Sequence, residues 1–227
     1  MRVVCNTVAA AWAAAPAFTV RPGRVAVYRR AVPVAGPVPG QYLLPAPELA
    51  RAARFHHPAD QRRYLTARVL RRQVLGACAG LAPATLVFTA TAAHKPVLAV
   101  APEIQFSVAH AGAWVLLAVA ATAVGIDLEP LHQHVAVADL LAGSFSAAES
   151  QLIDGPGQLL AAWTRKEALA KALGWGIDER FASLPGLPGR YELPSASHWQ
   201  VSGFAAGPGH VGAVAYPPGY ALDWWEV

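Results

Sequence analysis

Hydrophobic positions in the first third of the chain change from a strand pattern to a helical one. Residues 25–28 are rich in β-branched side chains and predict a strand. After a segment with many Pro and Gly residues, residues 48–55 predict a short helix. Apolar residues then recur at helical spacing as far as Cys78, and Asp60 stands where an N-cap belongs. We therefore expect a long helix between these two positions.

Short apolar runs follow this helix, each bounded by residues that favour turns. Two of the runs flank the sequence His94-Lys95-Pro96 and predict a hairpin. The strands expected in this part of the chain are residues 87–89, 97–99, 106–108, 114–119 and a run that begins near residue 124.

The second half of the chain again combines helices with strands. Ser146 and Glu149 match the Ser-x-x-Glu capping box, which predicts the start of a helix. Residues 159–173 have the clearest helical pattern, and Gly174 predicts where that helix ends. The remaining expected elements are a helix at 135–141 and strands at 199–202 and 211–215.

Each half of the chain thus joins a long helix to several antiparallel strands, which predicts an α+β fold. We expect an N-terminal half at residues 21–123 and a C-terminal half at residues 124–227, although the two halves share no visible sequence repeat. Residues 1–20 contain an apolar run similar to a signal peptide. We interpret them instead as a poorly ordered leader or as the result of a misassigned start codon.

Composition narrows the class of protein. Hydrophobic residues make up 55% of the 227 residues and charged residues 14%, which argues against disorder. The net charge of +4 suits an anionic partner such as a nucleotide or an acidic protein, and we do not expect nucleic acid. Two cysteines give neither a disulfide framework nor metal-ligand spacing, so we expect a reduced, cytoplasmic protein. The longest apolar stretch, residues 113–126, is shorter than the ~20 residues of a membrane helix, and we predict no span.

Two carboxylates at the end of an apolar run are the first candidates for chemistry. Asp127 and Glu129 follow the buried-strand pattern that begins at residue 124, and their spacing places both side chains on one face of a strand. Buried carboxylates are costly unless a cation neutralises them. A hard cation such as Mg²⁺ fits this role, and Glu167 can add a third carboxylate from a separate helix.

Glu167 and Lys171 lie one helical turn apart, with Trp163 one turn earlier. Such a Glu–Lys pair is often only a surface ion pair worth a few tenths of a kcal/mol. We interpret Trp163 as a core residue. On spacing alone, a solvated helix face and a catalytic face both stay open.

Three segments in this order and spacing resemble the Sfp-type 4′-phosphopantetheinyl transferases. They are Phe-Ser-Val-Ala-His-Ala at 106–111, Gly-Ile-Asp-Leu-Glu at 125–129 and Trp-Thr-Arg-Lys-Glu-Ala-Leu-Ala-Lys at 163–171, and the likeness extends over residues 48–176. The resemblance implies two similar α/β halves related by pseudo-twofold symmetry. It also implies transfer of the phosphopantetheine arm of coenzyme A to a serine of an acyl or peptidyl carrier protein, with release of 3′,5′-ADP.

The resemblance further implies the roles of the acidic residues and of the lysine. Asp127, Glu129 and Glu167 would surround the Mg²⁺ that binds the diphosphate of coenzyme A. Lys171 would contact the phosphates and either steady or protonate the leaving 3′,5′-ADP. Glu167, directly or through a water molecule, would take the proton of the serine hydroxyl.

Basic residues that would contact coenzyme A follow from the same resemblance. His110 and Lys95 would reach phosphate oxygens, although Ala109 and Ala111 replace the serines that flank the family's histidine and His94 replaces a glycine before Lys95. Arg63 would lie near the adenine and the 3′-phosphate.

The segment at residues 48–55 departs from the family pattern. Two lysines that often bind the 3′-phosphate have Leu49 and Ala52 at their closest positions, and Arg51 and Arg54 are the candidates to replace them. Five arginines lie between residues 62 and 72, and most of these are expected to face water.

Two other functions stay open on sequence grounds. A Mg²⁺-dependent phosphohydrolase or nuclease would explain the three carboxylates, but not the spacing of His110 and Lys95. A catalytically silent homologue that acts as a binding partner would explain the replaced residues. The resemblance favours a monomer with a carrier-docking surface near residues 145–160. It does not select among fatty-acid, polyketide and nonribosomal-peptide carriers.

Overall fold

The computed structural model describes residues 7–91, 94–132, 143–193 and 197–227. Their fold is α+β, as predicted, with two five-stranded sheets, a two-stranded hairpin and two long helices. The expected helix at 135–141 lies outside the described residues. Among the helices of the described ranges, none has the length and apolar character that a membrane span needs.

Twelve strands make up the sheets of the described chain. In chain order they are β1 (Thr7–Val8), β2 (Ala13–Ala14), β3 (Arg24–Ala31), β4 (Phe88–Ala90), β5 (Pro96–Leu98), β6 (Gln105–Ala111), β7 (Trp114–Ala120), β8 (Gly125–Pro130), β9 (Gly189–Glu192), β10 (His198–Gly207), β11 (His210–Tyr216) and β12 (Ala221–Glu226). The first sheet has the order β2-β12-β3-β7-β6, and the second has the order β1-β10-β11-β8 with β9 paired to β10. The predicted hairpin is confirmed as β4 and β5.

Four α-helices have both ends within the described residues: α1 (Ala46–Ala52), α2 (Pro58–Ala79), α3 (Ala147–Ser150) and α4 (Pro156–Leu173). The capping box of Ser146 and Glu149 is confirmed at the start of α3, and Gly174 ends α4 in the left-handed conformation. The predicted N-cap of α2 was wrong. The helix begins two residues before Asp60, since Pro58 occupies a first-turn position that requires no backbone N–H.

The two sheets pack against each other, and one long helix covers the outer face of each. Alternate residues of β3 show the arrangement: Val25 and Val27 enter the core shared by the sheets, whereas Ala26 and Tyr28 contact the layer that contains α2. On the other side, α4 packs on β10 and β11 of the second sheet. Burial on both faces explains why these strands have almost continuous apolar runs.

The ends of the chain cross the proposed boundary between halves. Strand β12 pairs in parallel with β3 of the first sheet, so the last strand of the C-terminal half lies in the sheet of the N-terminal half. The division at residues 123 and 124 stays a prediction, as does pseudo-twofold symmetry.

Residues 7–20, which we expected to belong to a poorly ordered leader, contribute the short strands β1 and β2 to the two sheets. Strand β1 pairs with β10, and the ring of Trp12 packs edge-on against Phe204 and Trp224. Apolar residues of this segment, among them Ala10, Trp12 and Phe18, pack against the hydrophobic core.

Candidate active site

A cleft of about 350 Å³ opens where the edge strands of the two sheets meet. β6 is the edge of the first sheet, β8 is the edge of the second, and the hydroxyl of Ser107 accepts a hydrogen bond of 3.1 Å from the backbone N–H of Ile126. Helices α2 and α4 flank this junction and complete the walls of the cleft. The site is therefore built from both sheets.

Strand β8 delivers Asp127 and Glu129 to the cleft. The two side chains lie on the same face, as the spacing predicts, while Ile126 and Leu128 alternate with them and enter the core. Asp127 is only 4% exposed and Glu129 is half-buried. A strand buried on its other face thus holds the carboxylates in place.

Gly125 allows β8 and α4 to approach closely. A Cβ atom at this position would overlap the carbonyl oxygen of Ala168 and lie 2.5 Å from the backbone nitrogen of Ala172. Only glycine permits this contact, which brings the middle of α4 beside Asp127.

Helix α4 presents Glu167 and Lys171 to the same cleft. The ammonium of Lys171 lies 2.5 Å from Oδ1 of Asp127 and 3.5 Å from Oε2 of Glu167. The pair from the helix and the carboxylate from the strand therefore meet, as the sequence predicts. Lys171 is part of the site rather than of a solvated helix face.

Electrostatics in the cleft favour an additional cation. Burial raises the pKa of Asp127 to about 7; Lys171 opposes this shift, while Glu167 and Glu129 add to it. Burial lowers the pKa of Lys171, but the attraction of Asp127 and Glu167 outweighs it, and its net pKa is raised. Lys171 stays protonated, yet one ammonium does not offset three neighbouring carboxylates.

The carboxylate oxygens only partly fit a metal ion. Oδ2 of Asp127 is buried and has no hydrogen-bond partner among the described residues, so it can accept a further cation. No group of three or more His, Cys, Asp or Glu side chains within the described ranges is close enough to form a complete cage. Mg²⁺ seldom requires one, because it combines one or two carboxylates with substrate phosphates and water.

His110 lies near the end of β6, where its ring reaches the cleft. The residue is solvent-accessible, but the surrounding walls partly desolvate the imidazole and lower its pKa, as do the charges of Arg63, Lys171 and Arg68. The ring is neutral at neutral pH and can donate one hydrogen bond.

Two other residues of the 163–171 segment face the interior. Trp163 packs against the ring of Phe181 at 5.0 Å, which confirms its core role. Lys166 is fully buried and donates to Glu149 and to the carbonyl of Ala182, at 2.9 Å each. Since Glu167 is only one residue further along the helix, the same segment anchors α3 and supplies the site.

Two family models match the segments of the chain that form the two sides of the cleft. Residues 41–122 match the family described as 4′-phosphopantetheinyl transferase, N-terminal, and residues 123–201 match the 4′-phosphopantetheinyl transferase superfamily. The 4′-phosphopantetheinyl transferase HetI of Nostoc is 32% identical over 186 residues, which are 76% of this chain and 78% of the relative. The chain belongs to this transferase superfamily.

Two Bacillus relatives match shorter segments. The 4′-phosphopantetheinyl transferase psf-1 of Bacillus pumilus is 34% identical over 141 residues, or 59% of either chain. The 4′-phosphopantetheinyl transferase Sfp of Bacillus subtilis is 32% identical over 79 residues, or 35% of either chain. The match thus covers less than two thirds of these two relatives.

The ammonium of Lys95, which we predicted to reach phosphate oxygens, contacts backbone carbonyls in this structure. It donates to the carbonyl of Val124 at 3.2 Å and contacts that of Ala172 at 3.5 Å. Lys95 lines a neighbouring pocket of about 230 Å³, which also contains Lys171, and does not line the carboxylate cleft. Before it, His94 has a φ of 60°, which explains why a glycine suits that position in the family.

The three arginines that the sequence predicted to bind coenzyme A do not line the cleft. Arg63 donates to Asp60 at 2.8 Å and to the carbonyl of Gly112 at 3.2 Å, close enough to affect His110. Arg51 and Arg54 are exposed and line a separate groove beside α1. Binding of coenzyme A by these residues stays a prediction.

Two arginines that the sequence interpretation did not select, Arg68 and Arg71, line the cleft. The expectation that most of the five arginines at 62–72 face water was wrong, since Arg71 and Arg72 are buried and the other three are half-buried. Tyr64, Arg68 and Arg71 recur at helical spacing, a signal that indicates one face of α2. The sequence does not reveal what that face contacts.

Proposed function

We propose that this protein transfers the 4′-phosphopantetheine arm of coenzyme A to a serine of an apo carrier protein and releases 3′,5′-ADP. One observation carries the proposal: Asp127, Glu129, Glu167 and Lys171 converge in a cleft that His110 also lines. This is the set that the family resemblance implies, and membership of the superfamily supports it.

Asp127, Glu129 and Glu167 would hold Mg²⁺ in this proposal. The buried Oδ2 of Asp127, which has no hydrogen-bond partner among the described residues, and the repulsion from Glu167 and Glu129, which adds to the raised pKa of Asp127, support this role. When bound, the ion supplies charge neutralisation at the diphosphate, the main requirement of phosphoryl transfer.

Glu167 and Lys171 would move the protons. Glu167 accepts the proton of the attacking serine hydroxyl, directly or through a water molecule. Lys171, which its carboxylate neighbours keep protonated, donates to the oxygen of the departing 3′,5′-ADP. The new bond joins the serine oxygen to the β-phosphorus of coenzyme A, and the bond between that phosphorus and the bridging oxygen breaks.

His110 would orient the diphosphate, since the N–H group of a neutral imidazole donates a hydrogen bond to a phosphate oxygen. Lys95 and Arg63 would also contact phosphate. Each would first give up its hydrogen bond to a backbone carbonyl, of Val124 and of Gly112 respectively. Arg51 and Arg54 would bind the 3′-phosphate.

The acceptor is an acyl or peptidyl carrier, whose acidic docking helix suits the positive net charge of this chain. Docking near residues 145–160 would use exposed residues such as Leu152 rather than Phe145, which is buried. We further propose a monomer in the cytoplasm that binds neither nucleic acid nor membranes.

Mass spectrometry tests this function. The protein is incubated with coenzyme A, Mg²⁺ and an apo carrier protein, and the expected result is a carrier that gains one phosphopantetheine group. Cleavage of coenzyme A without a carrier adduct would instead indicate a hydrolase, and absence of both products would indicate a silent homologue.

A further inference from the structure

One wall of the cleft carries more positive charge than the fold uses. Helix α2 places Arg68, Arg71 and Arg72 around the single carboxylate of Glu48, at 4.0, 2.8 and 2.8 Å respectively. One carboxylate cannot balance three guanidinium groups, so this cluster attracts a further anion.

The guanidinium of Arg72 has a structural role that the other two lack. It donates to Glu48 and to the carbonyls of Pro83 and Leu86, at 2.8, 2.9 and 3.0 Å. It does not line the cleft, whereas Arg68 and Arg71 do. The uncompensated charge therefore faces the cavity.

Arg71 is a buried donor with unused capacity. The residue is 4% exposed, one of its Nη atoms binds Glu48, and its Nε is buried without a hydrogen-bond partner in the described part of the chain. The guanidinium carbon of Arg71 lies 3.7 Å from the centroid of the Phe88 ring, a cation–π contact. Burial and the neighbouring Arg68 both lower its pKa, as expected of a cation that lacks enough negative charge nearby.

The carboxylates that line the same cleft restrict which anion can bind there. Asp127, Glu129 and Glu167 would repel a phosphate unless a cation lies between them, while the arginines attract it directly. A ligand that satisfies both walls carries several phosphate oxygens and a bound metal ion. Ala67, on the same helix, also lines the cleft, and its small side chain leaves room for such a group.

We infer that Arg68 and Arg71 bind the diphosphate of the substrate from the side opposite the carboxylates. This inference depends on the proposed function and adds to it a pair of phosphate-binding residues on α2. The planar guanidinium groups donate paired hydrogen bonds to phosphate oxygens. Coenzyme A and its 3′-dephospho form share this diphosphate, so both require the pair equally.

Arg68→Gln and Arg71→Gln test the inference, with Arg62→Gln as the matched control. Arg62 lies on the same helix, donates to the carbonyl of Pro33 at 3.0 Å and does not line the cleft. Calorimetric titration measures the affinity for inorganic pyrophosphate in the presence of Mg²⁺. Transfer assays give KM for coenzyme A and for 3′-dephospho-coenzyme A, and circular dichroism verifies folding.

We expect Arg68→Gln to weaken pyrophosphate binding by about tenfold, the effect of one charge-assisted hydrogen bond. KM should rise by the same factor for both forms of coenzyme A, and Arg62→Gln should change neither quantity. Unchanged pyrophosphate affinity in Arg68→Gln, or a loss confined to coenzyme A, would overturn the inference. Arg68 decides the outcome if Arg71→Gln does not fold.

The same data separate this inference from the proposed function. A wild-type protein that binds pyrophosphate but forms no carrier adduct would refute the transferase function alone. A wild-type protein that forms the adduct, with full pyrophosphate affinity in Arg68→Gln, would refute the role of the arginines alone.

Discussion

At the scale of single residues, Glu167 has two proposed roles. It would bind the cation together with Asp127 and Glu129, and it would act as the general base. Glu167→Ala should reduce transfer to the carrier protein by at least ~100-fold, since electrostatic stabilisation of the transition state is lost. The folded state should persist, because the side chain lines an open cleft.

Initial rates of carrier modification and thermal unfolding measure these two effects. Glu103→Ala is the control, since Glu103 is an exposed carboxylate that does not line the cleft. Turnover close to that of the wild type in Glu167→Ala would contradict the assignment.

Lys95 should make stability depend on pH. Burial lowers its pKa from the ordinary value of 10.5 to about 8. Between these pH values the unfolded chain binds more protons at this residue than the folded chain, so its contribution to the free energy of unfolding rises with pH. Urea titrations of the wild type and Lys95→Met at pH 7.5 and pH 10 measure it.

The stability of the wild type relative to Lys95→Met should increase between the two pH values. Comparison with the variant removes the contribution of the other titratable groups, which both proteins share. A difference that stays constant with pH would show that the ammonium is not desolvated in the folded state.

At the scale of secondary-structure elements, the close contact between β8 and α4 determines how near Asp127 lies to Lys171. Gly125→Ala should lower the free energy of unfolding by about 1–3 kcal/mol, because an added methyl group must push the helix away from the strand. It should also reduce transfer, since Asp127 and Lys171 belong to the two elements that separate.

Gly157→Ala is the matched control for this prediction. Gly157 lies in the first turn of α4 and has no atom within 4 Å of its added Cβ, so the variant should keep wild-type stability or gain slightly. Equal stability of the two variants in urea titrations would argue against the close contact at Gly125.

The whole molecule should unfold as one unit, because aromatic residues join the two sheets. Trp224 of β12 packs against Phe204 of β10 with ring centroids 4.7 Å apart, and Trp12 contacts both. Trp224→Ala should lower the free energy of unfolding by about 3–5 kcal/mol.

Tryptophan fluorescence and circular dichroism should report the same unfolding transition for the wild type. Ile177→Ala is the control, since Ile177 is 64% exposed and its loss should change stability little. Two separate transitions in the wild-type protein would show that the halves are independent domains.

Local patterns in the sequence determined most of the elements and the main candidate residues. Short runs of β-branched and apolar residues predicted the strands that begin near residues 25, 106, 114 and 124, and helical spacing predicted the helix that supplies Glu167, because each pattern depends on neighbouring residues alone. The resemblance then brought His110, Asp127 and Lys171 to one site, and the structure places them around one cleft.

Only the tertiary structure decided which long-range contacts complete the molecule. Strand β12 lies beside β3, which is nearly 200 residues away along the chain, and the resulting sheet fixes the position of the N-terminal segment. Likewise, Arg68 faces the cleft while Arg72 holds a loop, although both belong to the same basic stretch of α2. A sequence specifies the spacing of side chains around a helix, but the partners packed against each face determine what those side chains contact.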